Sequence, residues 1–196
     1  MLRKSLISIP TVAVMLILSS AVNAQVDPMI TGGIEAGGEN LVTTTTEDMS
    51  AGGGIILGAG ASFSQPGSAL SYRVMLNYLF DSVEFTSPSG KASVNALPLE
   101  LGVFNTWSKH EVGGGLSYHI NPTYEISSGS SFINNKINFD NAVGLFMQYN
   151  YIFSRTETET SYSHTYVGAK LTAIDYEVGK SSIDAGSFGI YIGSTF

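Results

Sequence analysis

The residues that could carry chemistry in this chain are few, and their spacing settles most of them. Ser117 and His119 stand two apart, so on a strand they share one face. The rise per residue separates them by about 7 Å, beyond the direct hydrogen bond a nucleophile needs from its base. His164 takes the inward parity of a later segment. Glu100 and Glu111 are the pair that would serve as general acid and base, but no motif accompanies them. With no cysteine there is no disulfide framework, thiolate zinc site or catalytic thiol. The triple glycines at 52–54 and 113–115 lack a following Gly-Lys-Ser/Thr, so they are strand glycines and not phosphate loops. No residue is assigned a catalytic role, and no metal or cofactor motif stands in the sequence.

Charges kept to one face are the more telling set. Glu35, Arg73, Glu100, Glu111, Asp140 and Lys170 all take inward parity on alternating segments. A charge in a confined interior must be paired or hydrogen-bonded. The expected arrangement is two clusters that close the interior, with Arg73 near Glu100 or Glu111 and Lys170 near Glu35 or Asp140.

Such a network needs strands to hold it, and eight segments alternate with period two: 29–37, 51–63, 69–80, 93–106, 110–120, 138–153, 162–175 and 184–196. In the third, Leu70, Tyr72, Val74, Leu76, Tyr78 and Phe80 oppose Ser71, Arg73, Met75 and Asn77. In the sixth, Val143, Leu145, Met147, Tyr149, Tyr151 and Phe153 oppose Asp140, Gly144, Gln148 and Asn150. One face is consistently apolar and the other polar or glycine-rich. Alternation alone does not separate a soluble barrel from its inverse. The glycines and charges suit a narrow lumen, and the apolar face capped by Tyr, Phe and Trp suits lipid. The fold class is therefore all-β, an eight-stranded antiparallel up-and-down transmembrane barrel.

The connections are expected to alternate, short at 64–68, 108–109 and 154–160, longer at 38–50, 81–92 and 121–137, with a fourth outer loop at 176–183. The longer set faces outward, and Pro88, Gly90, Pro122 and Gly129 supply its turn chemistry. Asn121 to Ile137 is the longest and carries Tyr124, Phe132 and Ile133 as contact residues or rim packing.

Residues 1–24 read as an export signal. Arg3 and Lys4 precede the apolar core Leu6 to Leu18, and Ala21-Val22-Asn23-Ala24 supplies the small-residue cleavage site before Gln25. That core is shorter than the roughly 20 apolar residues a membrane helix needs. The barrel domain is then 25–196. Removing Arg3 and Lys4 from the net charge of −7 leaves −9, which argues against nucleic acid as a partner.

The whole segment after Gln25 resembles the small eight-stranded bacterial outer-membrane barrels, the group of OmpX, the OmpA membrane domain, OmpW and the opacity-type adhesins. The matching stretches are Leu97-Pro98-Leu99-Glu100-Leu101-Gly102-Val103, Val112-Gly113-Gly114-Gly115-Leu116-Ser117-Tyr118 and Ile190-Tyr191-Ile192-Gly193-Ser194-Thr195-Phe196. The resemblance implies residence in the bacterial outer membrane among its lipid and lipopolysaccharide, and a structural salt-bridge network in the lumen. It also implies recognition of Ile190, Ile192 and Phe196 by the barrel-assembly machinery, although Ser194 departs from the usual apolar position. The His-x-Ser-Asn signature of lipid A deacylases in this group is absent. The expected role is structural or surface-interaction (adhesion-like), with a ligand met through the outer loops. A narrow channel for small solutes is the alternative, and a lipid A-modifying barrel enzyme a lesser one.

Overall fold

The computed structural model describes residues 25–43, 48–65, 67–86, 89–128, 134–157 and 162–196. Residues 1–24, expected to be an export signal, and Pro66, Pro88, Gly129, Phe132 and Ile133 lie outside them.

Alternation with one apolar face makes strands, and closing the sheet removes every edge that lipid could not hydrogen-bond. The barrel wall is built from β1 (Gln25–Ala36), β4 (Gly54–Ser64), β5 (Leu70–Thr86), β6 (Ser89–Trp107), β7 (His110–Ser128), β9 (Ala142–Glu157), β10 (Tyr162–Ala173) and β13 (Ser187–Thr195). Between them lie β2 (Asn40–Thr43) and β3 (Asp48–Ser50), which form a hairpin, β8 (Asn134–Asn138), which lies along the upper part of β7, and a second hairpin of β11 (Asp175–Val178) and β12 (Ser181–Asp184). Every pairing is antiparallel. β1 pairs with both β4 and β13, and β6 with β7, so the eight wall strands close on themselves. At the closing seam Ile34 stands opposite Ile190 and Gly33 opposite Tyr191.

The outward face is the apolar one. Ile30 and Ile34, Leu76 and Tyr78, Val143, Leu145 and Met147, and Ile190 and Ile192 are all exposed. An apolar band of this extent facing outward over a polar interior is the inverse of a soluble barrel. The interior is filled by ring side chains given room by glycine. A Cβ on Gly113 would collide with the Phe104 ring, and one on Gly193 with the Tyr166 ring.

The outer connections differ from the expected loops. β5 and β6 continue pairing to Thr86 and Ser89, and β7 runs on to Ser128, so Gly90 and Pro122 sit within strands. Along β5 the apolar parity switches. Tyr78 faces lipid, whereas beyond Phe80 it is Val83 that is buried, on the inner face, packed with Met49, Ala92 and Val94. The outer face there carries Ser82, Glu84, Lys91 and Ser93. The inversion marks where the strands leave the bilayer. Above the lumen, Ala51, Phe139, Ala142, Ile174, Tyr176 and Ala185 form a second apolar core, drawing together segments from three of the four outer connections. Tyr124 packs against both cores, at the rim.

Candidate functional site: the lumen network and its cap

Period two places Glu35 (β1), Arg73 (β5), Glu100 (β6), Glu111 (β7) and Lys170 (β10) inside the barrel, with the two cations almost completely buried. They divide into two layers. In the lower, Arg73 Nη2 lies 2.6 Å from Glu111 Oε2. Thr106 Oγ1 donates to the same oxygen at 3.0 Å, and Asn150 Nδ2 donates to Glu111 Oε1 at 2.7 Å. Gln148 Nε2 in turn donates to Asn150 Oδ1 at 2.8 Å. The Arg73 guanidinium sits 4.1 Å above the Phe104 ring centre, a desolvated cation–π geometry. Each charge is thus both paired and hydrogen-bonded, as burial requires.

In the upper layer Lys170 Nζ lies 2.7 Å from Glu100 Oε1 and 3.3 Å from Glu35 Oε1. Ser187 Oγ donates to Glu35 Oε2 at 3.2 Å, and the Tyr191 hydroxyl donates to Glu35 Oε1. Lys170 Nζ is also 4.6 Å from the Tyr191 ring centre. Between the layers is a cavity of about 20 Å³ bordered by Arg73, Asn77, Glu100 and Lys170, large enough for one water.

Two expectations need correction. Glu100 joins Lys170, not Arg73. Asp140 is not in the lumen at all: it is exposed, and β9 begins only at Ala142. The chain before β9 is tied to the cap instead, with Phe139 N–H donating to Pro122 O and Asp140 N–H to Glu177 O. The hydrogen-bond partners Thr106, Gln148 and Asn150 share the inward parity of the charges, which is the signal by which they are found.

The spacing argument against Ser117 and His119 also fails in its geometry. His119 Nε2 lies 3.0 Å from Ser117 Oγ, and its Nδ1 lies 2.7 Å from the Tyr176 hydroxyl. The imidazole leans along the strand and closes the separation of the backbone. Ser117 is 0% exposed and His119 4%, both enclosed beneath the cap. Burial pushes the Tyr176 phenol above its ordinary pKa, so it keeps its proton as a hydrogen-bonding group. The chain Ser117–His119–Tyr176 joins the wall to an outer hairpin.

Ile190, Ile192 and Phe196 stand on the lipid face of the closing strand and its end, and Phe196 N–H donates to Pro28 O at 3.0 Å.

No family model and no curated protein sequence matches the chain. Solved structures do. The attachment invasion locus protein Ail of Yersinia pestis, in complex with the heparin analogue sucrose octasulfate, superposes with a TM-score of 0.56 at 8% identity, covering 89% of this chain and 100% of Ail. The chain folds as an eight-stranded outer-membrane β-barrel. Neisserial surface protein A (TM-score 0.46, 11% identity, 87% of this chain and 94% of that one) and AlkL, solved in lipid bilayers (0.44, 11%, 90% and 92%), are also similar to it. The apolar wall of the barrel agrees with this fold, and the two together make it an outer-membrane protein. The barrel holds two layers of ion pairs in its lumen and a shared apolar core in its outer segments.

Proposed function

We propose that this barrel is a structural and surface-interaction protein with a sealed lumen, held among outer-membrane lipid and lipopolysaccharide and displaying its outer hairpins as a packed cap. The observation that carries this reading is the double layer of buried ion pairs, Arg73–Glu111 below and Lys170–Glu100–Glu35 above, with space for a single water between them. An ion crossing such a lumen would have to break these buried pairs, and losing one member of a buried pair costs about 3 to 5 kcal/mol. The cap core above adds an apolar barrier.

Residues 1–24 act as the export signal in this reading. The strand carrying Ile190 and Ile192, with Phe196, presents itself to the assembly machinery. The role is not enzymatic: the Ser117–His119 pair is buried beneath the cap and committed to Tyr176. A surface ligand would be met through the outer segments 37–53, 81–92, 121–141 and 174–186, which carry ten carboxylates against three lysines, a net of −7. Ail was solved with a polysulfated ligand, whereas this acidic exterior disfavours a polyanion.

Planar-bilayer recording of the purified barrel tests the sealed lumen. Silence at voltages where open eight-stranded controls conduct is expected. Stable unitary currents from the wild-type chain would establish the channel reading instead.

A further inference from the structure

The cavity between the lumen layers is bordered by two buried donors that the ion pairs leave unused. Neither Arg73 Nε nor Asn77 Nδ2 has a hydrogen-bond partner among the described residues. Arg73 is 4% exposed and Asn77 2%, so bulk water does not serve them. A buried donor without an acceptor is costly, and two at one cavity point to an acceptor between them. Glu100, which meets Lys170 through Oε1, borders the same space and brings the opposite need, a carboxylate that accepts. Met29 and Met75 line its apolar side. The seat of Asn77 is made by its neighbour across the sheet: it stands opposite Gly58, where a Cβ would collide with Asn77 Oδ1. The amide oxygen is thereby held against the wall, and the nitrogen is the end left for the cavity.

Size and charge choose the occupant. A volume of about 20 Å³ accommodates one water. Two donors alone would also suit a halide, but the layers already hold three carboxylates against two cations. A further anion beside Glu100 would be repelled at low dielectric. Water accepts from both donors and gives a hydrogen to the carboxylate, the usual number of bonds for a buried water.

We propose that this cavity is a hydration site joining the two layers, in which one water accepts from Arg73 Nε–H and Asn77 Nδ2–H and donates to Glu100. The lower and upper pairs then form a single network. The inference rests on the sealed-lumen reading, since in a conducting channel the same water would exchange freely with the bulk.

Water-selective cross-relaxation NMR of the barrel, residues 25–196, in phosphatidylcholine nanodiscs tests it, with isotope-labelled arginine and methionine. A bound water should give cross-peaks of the long-lived sign to Arg73 Nε–H and to the Met75 methyl group. They should persist in Tyr166→Phe, which removes a bordering hydroxyl that could relay exchange. Asn77→Leu should abolish both while amides away from the cavity keep their positions. Exchanging chloride for sulfate should leave the Arg73 Nε–H resonance in place. The wild-type cross-peaks and the chloride comparison decide without any variant. A barrel silent in the planar bilayer that lacks the cross-peaks overturns the water alone, and one that conducts and lacks them overturns the sealed-lumen reading as well. Cross-peaks lost in Tyr166→Phe, cross-peaks undiminished in Asn77→Leu, or a saturable shift of the Arg73 resonance with chloride would each overturn the assignment.

Discussion

Tyr176, carried by the fourth outer connection, places its hydroxyl 2.7 Å from Nδ1 of His119 in the barrel wall. The contact crosses from an extramembrane hairpin into the lumen, and through Ser117 it ends on the same strand that holds His119. Tyr176→Phe keeps the ring in the cap core and removes only the hydroxyl. Leaving the buried imidazole short of a partner costs about 1 to 3 kcal/mol. We expect faster proteolysis of the 174–186 segment with an unchanged heat-modifiable band; equal cleavage rates would show that packing alone holds the cap.

Arg73→Ala strands the Glu111 carboxylate among Thr106 and Asn150. A loss of about 3 to 5 kcal/mol is expected in urea unfolding from lipid vesicles. Arg73→Met with Glu111→Leu should recover much of it, because replacing both members by apolar groups removes the uncompensated charge. No recovery in the double variant would mean that the hydrogen bonds of Glu111, more than its ion pair, support the lower layer.

Lys170→Met leaves Glu35 and Glu100 facing one another without their shared cation. The same unfolding assay should register a loss comparable with that of Arg73→Ala. Conductance should rise in this variant if the pairs seal the lumen, and a silent, fully stable Lys170→Met barrel would show that the upper ion pairs are not what closes it.

Gly67 and Gly179 both turn the chain at positive φ with no neighbouring atom near a would-be side chain, so both tolerate an inserted epitope. Antibody on intact cells should reach the tag at Gly179 and not the one at Gly67. Labelling at Gly67 would reverse the orientation of the barrel.

Ile192→Asp sets a carboxylate against lipid on the closing strand at a cost of about 2 kcal/mol or less, depending on depth. Deleting Phe196 removes the hydrogen bond to Pro28 O as well as the ring. Reduced folded band on unboiled gels is expected for both, and undiminished folding would separate Ile192 and Phe196 from assembly.

The eight wall strands are legible because lipid enforces period two: a polar residue on the outer face of β5 between Leu70 and Phe80 would break the band, so parity there is informative. The same rule hides the projecting hairpins. Past Phe80 the apolar residue moves to Val83, and the outward series ends just where the strand continues in water with its faces exchanged. Heights in the lumen are harder to read, since the stagger between strands, and not parity, brings Lys170 to Glu100. Parity does not place Asp140, because it lies before the start of β9 at Ala142. The contact of Ser117 with His119 is hidden from spacing because rise measures backbones, while a long side chain can lean two residues along its strand.

The cores formed by the outer segments bear on how this surface can drift. Val83 and Val94 pack with Met49, and Ile174 with Phe139, so substitutions on these faces in one exposed segment are constrained by its neighbours. The opposite parity of the β5–β6 hairpin, at Ser82, Glu84, Lys91 and Ser93, lies outside these cores and is free to vary. An antibody raised against that face would meet a changing chemistry on a constant shape.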